Sequence, residues 1–491
     1  MEVESVPQSP ACPSSPSPSS PQFELFRPQR REFMRFVGVS SGLAMLGPLA
    51  GCGDSNAQSQ SAADTLRDTL TRESGFWADV RARFVLDPNF TFMNVGTSGS
   101  MPREVLDHYS EENMAAAVSA AGGYGNLLEE RTRVAPGLGA DPDELVFSYN
   151  TSAGMCVSIL GLDWQRGDVV VTTNHEHGGG NTPLNIARDR YGIEIERVAL
   201  PTGDNQTPGQ YQELFDNAVS ALKANGRRVR AMMWSSPTYL TGTMLPIREL
   251  MEVVKKHELI SIVDGAHLPG MMAYDYRELG VDFMSGAGHK WQCGPGSTGI
   301  LYVRNKIRPS NPLPLPRFWP ITSSSFSPAP PEWHNRAQGA EPTYNIANAL
   351  QSLGSLNVPM FRSLTRACEI WDQIGRQKIQ EYVLNLSLYL KERIVEKWGA
   401  ESLYSPRHRD LLSALTSFNP FINPADVMTA KSGQFVTRLR DKGFIVRNTS
   451  TPVIGQATNH QPIRISTHLW HSAEDIDRLI DAMWTTAQEM R

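Results

Sequence analysis

Four turns in this chain put reactive side chains directly after short apolar runs, where a folded protein can bury them. The first is Leu145-Val146-Phe147-Ser148-Tyr149-Asn150-Thr151-Ser152-Ala153-Gly154, leading into a helix-like stretch over residues 155–162. A strand, a polar turn and a helix start offer unpaired N–H groups to an anion, and Thr151 and Ser152 add hydroxyls. An ordinary helix cap would use the same residue types. The second turn is Ile260-Ser261-Ile262-Val263-Asp264-Gly265-Ala266-His267. A carboxylate straight after a buried strand is costly unless a cation pairs with it, so Asp264 suits either a cationic ring nitrogen or a helix N-cap. The third is Gly286-Ala287-Gly288-His289-Lys290-Trp291. A lysine among small residues, between His and Trp, is set for desolvation, which lowers its pKa and makes the amine a Schiff-base nucleophile. In the fourth, His175-Glu176-His177-Gly178-Gly179-Gly180-Asn181, an imidazole can pack over a planar ligand while the glycines admit close backbone approach. A lone histidine there would equally serve structure.

The elements that must hold these turns alternate. Apolar runs at 145–148, 169–172, 194–200, 230–235, 260–264, 283–285 and 299–303 are separated by helical stretches such as 211–224 and 247–257. Short strands apolar on both faces, spaced by helices, predict an α/β fold with a mostly parallel sheet covered by helices. Ligands in such sheets lie beyond the carboxyl ends of the strands, where all four turns fall. An amphipathic stretch at 65–83 and a Gly-Ser turn at 96–100 come first. Residues 307–331 are rich in Pro and Ser and read as a long irregular connection or active-site loop. Later come helices, then mixed elements at 443–448 and 463–466 and a last helix from Ala473. The expected division is an N-terminal segment and large domain over 65–335, with a connecting helix and smaller α/β domain over 336–491.

Composition narrows the function classes. Of the 491 residues, 40% are hydrophobic and 20% charged, as in an ordinary soluble enzyme. The 46 basic and 51 acidic residues give a formal charge of -5 with no basic stripe, which excludes a nucleic-acid binder. The five cysteines form no CxxC pair, and His175 and His177 have no third ligand nearby, so neither a disulfide framework nor a metal site is expected. No GxGxxG follows an early strand, which removes a Rossmann dehydrogenase. Residues 1–29 are Pro/Ser-rich and read as disordered. Arg30-Arg31, the uncharged stretch 36–50 and Leu49-Ala50-Gly51-Cys52 read as a twin-arginine signal with a lipobox. The stretch is shorter than the ~20 residues of a spanning helix. Export by the Tat machinery to the periplasm is expected, with Cys52 either acylated as a lipid anchor or lost by simple cleavage. A chance Arg-Arg pair, or a start codon placed too far upstream, is the alternative.

Taken in order, the four turns resemble the class V aminotransferases, fold-type I enzymes dependent on pyridoxal 5'-phosphate (PLP), over residues 90–480. The most specific pieces are Val263-Asp264-Gly265-Ala266-His267 and Gly288-His289-Lys290-Trp291. The resemblance implies that Lys290 holds the cofactor covalently and shuttles the substrate proton. It implies that Asp264 keeps the pyridine nitrogen protonated, that His177 stacks on the ring and that His267 lies near the ring oxygen. Thr151, Ser152, Ala153 and His289 would hold the phosphate, with a hydroxyl such as Thr322 supplied by a second copy, since the family's sites lie at homodimer interfaces. Pro462-Ile463-Arg464-Ile465-Ser466 resembles a late family strand whose arginine grips the substrate α-carboxylate. Arg447 is then a second carboxylate or loop contact, and Tyr239 a substrate-side residue where desulfurases carry Asn. A surface ion pair is the plain alternative for either arginine.

The chain departs from the pattern at Ala287 and Ala340, where relatives carry Ser and Thr. The loop over 447–461 has no cysteine, which argues against a desulfurase, and Cys293 reads as a packing residue. The His-Glu-His-Gly segment and Trp291 look most like the isopenicillin N epimerase-like branch. The expected substrate is an α-amino acid or a small peptide with a free amino-acid end, and the expected reaction transamination or epimerisation. A PLP-dependent C–S or Cα–Cβ lyase is the alternative, and an envelope PLP-binding protein without turnover the non-enzyme reading.

Overall fold

Seven strands are hydrogen-bonded in the order β2-β8-β7-β6-β5-β3-β4 in the computed structural model, which describes residues 61–319, 346–421, 423, 426, 427 and 429–491. The export signal, Cys52, Thr322 and Ala340 lie outside the described residues. The strands are β2 (Leu145–Ser148), β3 (Asp168–Thr173), β4 (Glu194–Val198), β5 (Arg228–Ser235), β6 (Ile260–Asp264), β7 (Phe283–Ala287) and β8 (Gly299–Val303). Pairing is parallel from β4 through β3, β5 and β6 to β7, and β8 runs antiparallel to both β7 and β2. One reversed strand among seven follows from the short β7–β8 connection, because only antiparallel neighbours can be joined without a long crossover.

The expected strands are all present, and one differs in character. β3, β6, β7 and β8 are buried along their whole length. β4 buries only Val198 and exposes Glu194, Glu196 and Arg197, because it is an edge strand with solvent on one side. Charged side chains there discourage pairing with another sheet edge. The first helix after β2 begins at Thr151 rather than Met155, because Asn150 caps it: the Asn150 side chain accepts a hydrogen bond from the Ala153 N–H. The amphipathic stretch 65–83 is two helices, Ala62–Arg72 and Ser74–Arg81. Two further helices, Val358–Ile374 and Arg376–Trp398, are broken at Gly375, whose φ of 99° lies in the region glycine enters freely.

A second sheet of three antiparallel strands has the order β11 (Arg447–Asn448), β12 (Ile463–Ser466), β9 (Leu415–Phe418). Between β9 and β11 lies β10 (Phe444–Ile445), which pairs in parallel with β1 (Thr91–Phe92). An early strand of the described chain is therefore hydrogen-bonded to a late one, and Trp77 stacks on Tyr382 with ring centroids 3.9 Å apart. At the far end of the large sheet from the four turns, Arg304 and Asp282 form a buried ion pair at 2.6 Å. Asp282 also accepts the Ser261 N–H and hydroxyl, and Arg304 donates to carbonyls of Asn311, Leu313 and Pro314. That fully bonded pair anchors the irregular connection after β8, and breaking one half of such a pair costs about 3–5 kcal/mol.

Candidate active site

Six strands direct their carboxyl ends to one side of the large sheet, and loops that leave five of them line a cavity of about 400 Å³. β2 contributes Thr151 and Ser152, β3 His177, β5 Tyr239, β6 Asp264 and His267, and β7 His289 and Lys290; Arg447 and Arg464 reach it from the second sheet. A cavity of this size is within the range that takes a cofactor and a small substrate.

The turn that carries Lys290 is held from inside and from across the fold. The Gly288 N–H donates to Thr298 O and the Gly294 N–H to Gly288 O, both at 2.8 Å. The Gly99 N–H donates to His289 O at 2.8 Å, and a Cβ on Gly99 would stand 2.1 Å from the Lys290 carbonyl oxygen, so only glycine lets the two backbones touch. Burial lowers the Lys290 pKa to about 8, with Asp264 opposing the shift and Arg464 and Arg447 adding to it. A neutral amine is thus available near neutral pH, as a nucleophile requires.

Asp264 ends β6 at 3% exposure. No helix follows it, so the N-cap alternative falls away; one carboxylate oxygen accepts the Ala266 N–H at 3.0 Å. Burial pushes this carboxyl above its usual range, and the nearby Lys290 amine pulls it back. His267 has an assignable tautomer. Its Nδ1 accepts the Trp291 indole N–H at 3.0 Å, so the ring proton sits on Nε2, which is buried without a partner. Trp291 itself is 0% exposed and stacks on His468, so it fixes His267 rather than touching the cavity.

At the other end of the cavity, Thr151 Oγ1 is likewise buried without a partner. Ala153 does not join it: its N–H is taken by the Asn150 side chain, and the cavity wall has Asn150 and Ser297 there instead. His289 Nδ1 donates to Thr298 O at 2.9 Å, so its Nε2 can donate to an anion only when the ring is protonated, a form that burial disfavours. His177 caps the helix Gly178–Tyr191 by accepting the Gly179 N–H at Nδ1, and meets Tyr239 edge-on with centroids 4.9 Å apart.

Arg464 is 1% exposed, and burial lowers its pKa to about 9, with Arg447 adding to the shift. It donates to Tyr239 O at 2.9 Å and Asn94 Oδ1 at 3.3 Å, while its Nε has no partner. Arg447 donates to Thr97 Oγ1 at 3.4 Å and to the Asn448 carbonyl at 3.2 Å. Neither makes the surface ion pair that was the plain alternative, since among the described residues no carboxylate lies within 4.0 Å of either. Ala287 closes β7 in the core, and Cys293 is buried as expected, its sulfur 3.6 Å from His468 Nε2.

Glu176 is the residue that motif reading passed over. One of its carboxylate oxygens accepts the Thr173 hydroxyl at 2.6 Å and the Ser235 N–H at 3.1 Å, and the other accepts the Ser235 hydroxyl at 2.5 Å. It therefore ties the end of β3 to the end of β5 behind His177. Burial, with a smaller contribution from Asp264, raises its pKa to about 7. An acid between two histidines just after an apolar strand was the available signal. His175 is buried nearby and donates from Nε2 to Pro452 O, so it holds the loop after β11 and does not line the cavity.

Comparison with known proteins gives this geometry its context. The family model described as aminotransferase class-V matches residues 92–479. Isopenicillin N epimerase of Amycolatopsis lactamdurans is 24% identical over 425 residues, spanning 83% of this chain and 98% of that protein. A probable cysteine desulfurase of Pyrococcus abyssi is also 24% identical, over 84% of this chain and 98% of its own. Among solved structures, C-DES with glycine covalently linked to its PLP cofactor superposes with a TM-score of 0.66 at 20% identity, over 82% of this chain and 98% of that one. Apo cysteine desulfurase from Thermococcus onnurineus gives 0.65 at 22% identity, over 84% and 98%.

The fold is that of the fold-type I PLP enzymes. The chain belongs to the class-V aminotransferase family, and its cofactor is pyridoxal 5'-phosphate. The cavity fits that molecule on its own evidence. Two buried polar atoms, Thr151 Oγ1 and His267 Nε2, lack partners, and a buried carboxylate faces the lysine amine. A phosphate, a ring oxygen and a protonated ring nitrogen are the groups that would satisfy them.

Proposed function

We propose that the protein turns over an α-amino acid, or a peptide ending in one, as a transaminase or an isopenicillin N epimerase-like enzyme. The observation that carries this reading is Arg464: a guanidinium with no carboxylate partner among the described residues, in the same wall as Lys290 and Asp264. A buried cation left without an anion is expensive, and a substrate α-carboxylate relieves it with paired, charge-assisted hydrogen bonds. Once the carboxylate is held there, Cα is presented to Lys290, whose neutral amine takes or returns the proton at that carbon. Asp264 would hold a proton on the ring nitrogen, His177 would pack on the ring face and the His267 Nε2–H would donate to the ring oxygen. Thr151, Ser152 and His289 would hold the phosphate. When bound, the cofactor supplies the electron sink for charge developing at Cα.

Desulfurase chemistry has no support in this site. The described cysteines are Cys156, Cys293 and Cys368, none of which lines the cavity, and burial raises the Cys293 thiol well above its usual range. Incubating the holoenzyme with an amino-acid panel in heavy water separates these two reactions from each other and from the alternative, a C–S or Cα–Cβ lyase, which would release a fragment of the side chain. Keto-acid release marks transamination, and deuterium at Cα with loss of chirality marks epimerisation. Neither result with any amino acid or short peptide would end the proposal.

Location is a separate proposal, supported by the order Arg30-Arg31, apolar run, Cys52. Replacing both arginines by lysine should keep the protein inside the cell, and undiminished export would remove the twin-arginine reading.

A further inference from the structure

We propose that the substrate carries a second anionic group on a short side chain, bound by Arg447 while Arg464 takes the α-carboxylate. This rests on the amino-acid reading above and narrows it to one substrate class, α-amino acids ending in a carboxylate or sulfonate.

Arg447 on β11 stands directly across from Arg464 on β12, and both line the cavity. Opposed residues on neighbouring antiparallel strands share a face with Cβ atoms about 5 Å apart, and like charges in that arrangement destabilise the sheet. The strain shows in the neighbourhood, since Lys290, His177 and Arg464 are all shifted toward their neutral forms partly by Arg447. Among the described residues no acid pairs with either arginine. Among the described residues that line the cavity the one carboxylate is Asp264, which ends β6 and would face the ring nitrogen. The partners the two arginines do have are neutral: Tyr239 O, Asn94 Oδ1, Thr97 Oγ1 and Asn448 O.

Each guanidinium has five donors, and these four bonds leave most of them unused, with Arg464 Nε buried and unpartnered. A monoanionic amino acid would answer one guanidinium and leave the other facing its neighbour. Two anions joined by a short chain answer both. The cofactor phosphate has its own cradle at the start of the helix Thr151–Leu160, with Thr151, Ser152 and His289.

Binding can be read from the visible absorbance of the holoenzyme. Aspartate and glutamate are titrated against asparagine and glutamine, with cysteate as the sulfonate probe. The acidic members should bind about 10- to 100-fold more tightly than their amides. Arg447→Met should abolish that difference by weakening only the acidic members, and Arg447→Lys should restore part of it. Tighter cysteate than glutamate would assign the distal group as a sulfonate. Equal affinity for acids and amides in the native enzyme overturns the second anion and leaves the amino-acid reading standing. Weaker binding of PLP to Arg447→Met apoenzyme, with no change in acid preference, also overturns it by assigning Arg447 to the phosphate. No spectral response to any amino acid removes both proposals together.

Discussion

Protein carrying Lys290→Ala will fold and bind PLP, but borohydride will no longer fix the cofactor to the chain, and turnover will fall by about a thousandfold or more. The backbone around the site does not depend on this side chain. The contacts that shape the turn run through the Lys290 and His289 carbonyls and through Gly288, Gly294 and Thr298, all of which survive truncation at Cβ. What disappears is the one amine that the described residues place in the cavity wall, and with it the proposed covalent link and proton carrier. Mass spectrometry after borohydride treatment checks the link, and a cofactor still fixed in the variant would sink the assignment. A pH series adds a second check. Since burial holds the amine near pKa 8, cofactor fixation should accelerate about tenfold per unit below that pH and level off above it. The stability of the apoprotein carries the matching sign. The unfolded chain protonates this lysine up to about pH 10.5 and the folded one only to about 8, so between those values the unfolded state binds more protons and stability rises with pH. Lys290→Ala should lose that rise.

Asp264→Asn should weaken PLP binding and lower turnover, each by about a hundred- to a thousandfold, although the side chain keeps its shape and can still accept the Ala266 N–H. The change removes only charge. A buried carboxylate, pushed toward its neutral form by burial, becomes favourable again when a protonated ring nitrogen stands against it. The amide cannot hold that proton, and the ring then loses its capacity to draw charge from Cα. Equilibrium dialysis of PLP and the absorbance of the bound form measure the effect. An Asn variant with native affinity and native turnover would show that the carboxylate charge is not used. Asp264→Ala, which also frees the Ala266 N–H, should be worse by the cost of one unmade buried hydrogen bond, about 1–3 kcal/mol.

Much of this site is legible in the chain because each of its strands is a short apolar run closed by a polar turn. Lys290, Asp264, His177 and Thr151 each follow such a run, and one rule about sheet ends gathers them without knowledge of distances. What escapes is whatever depends on partners far away in sequence. Ala153 has the right address for a phosphate contact, but a local cap three residues earlier takes its N–H. Trp291 reads only as the lysine's flanking residue, yet it points inward to set the tautomer of His267. Glu176 is hidden for the opposite reason: its partners Thr173 and Ser235 lie on two strands whose adjacency no local pattern encodes. The opposition of Arg447 and Arg464 appears only when β11 and β12 are in register.

The turn from Asn94 to Ser100 touches both ends of the chemistry. Gly99 rests on the Lys290 peptide, Gly96 donates to Ser466 Oγ across 370 residues, and a Cβ at Gly96 would strike the Arg464 guanidinium at 2.9 Å. A nascent chain emerging from the ribosome acquires the lysine and aspartate long before the strand that carries the carboxylate anchor. Until that strand arrives, this turn has nothing to close against on one side. A substrate-ready site for the vitamin B6 cofactor therefore waits on β12, whose Ser466 and Arg464 this turn rests against.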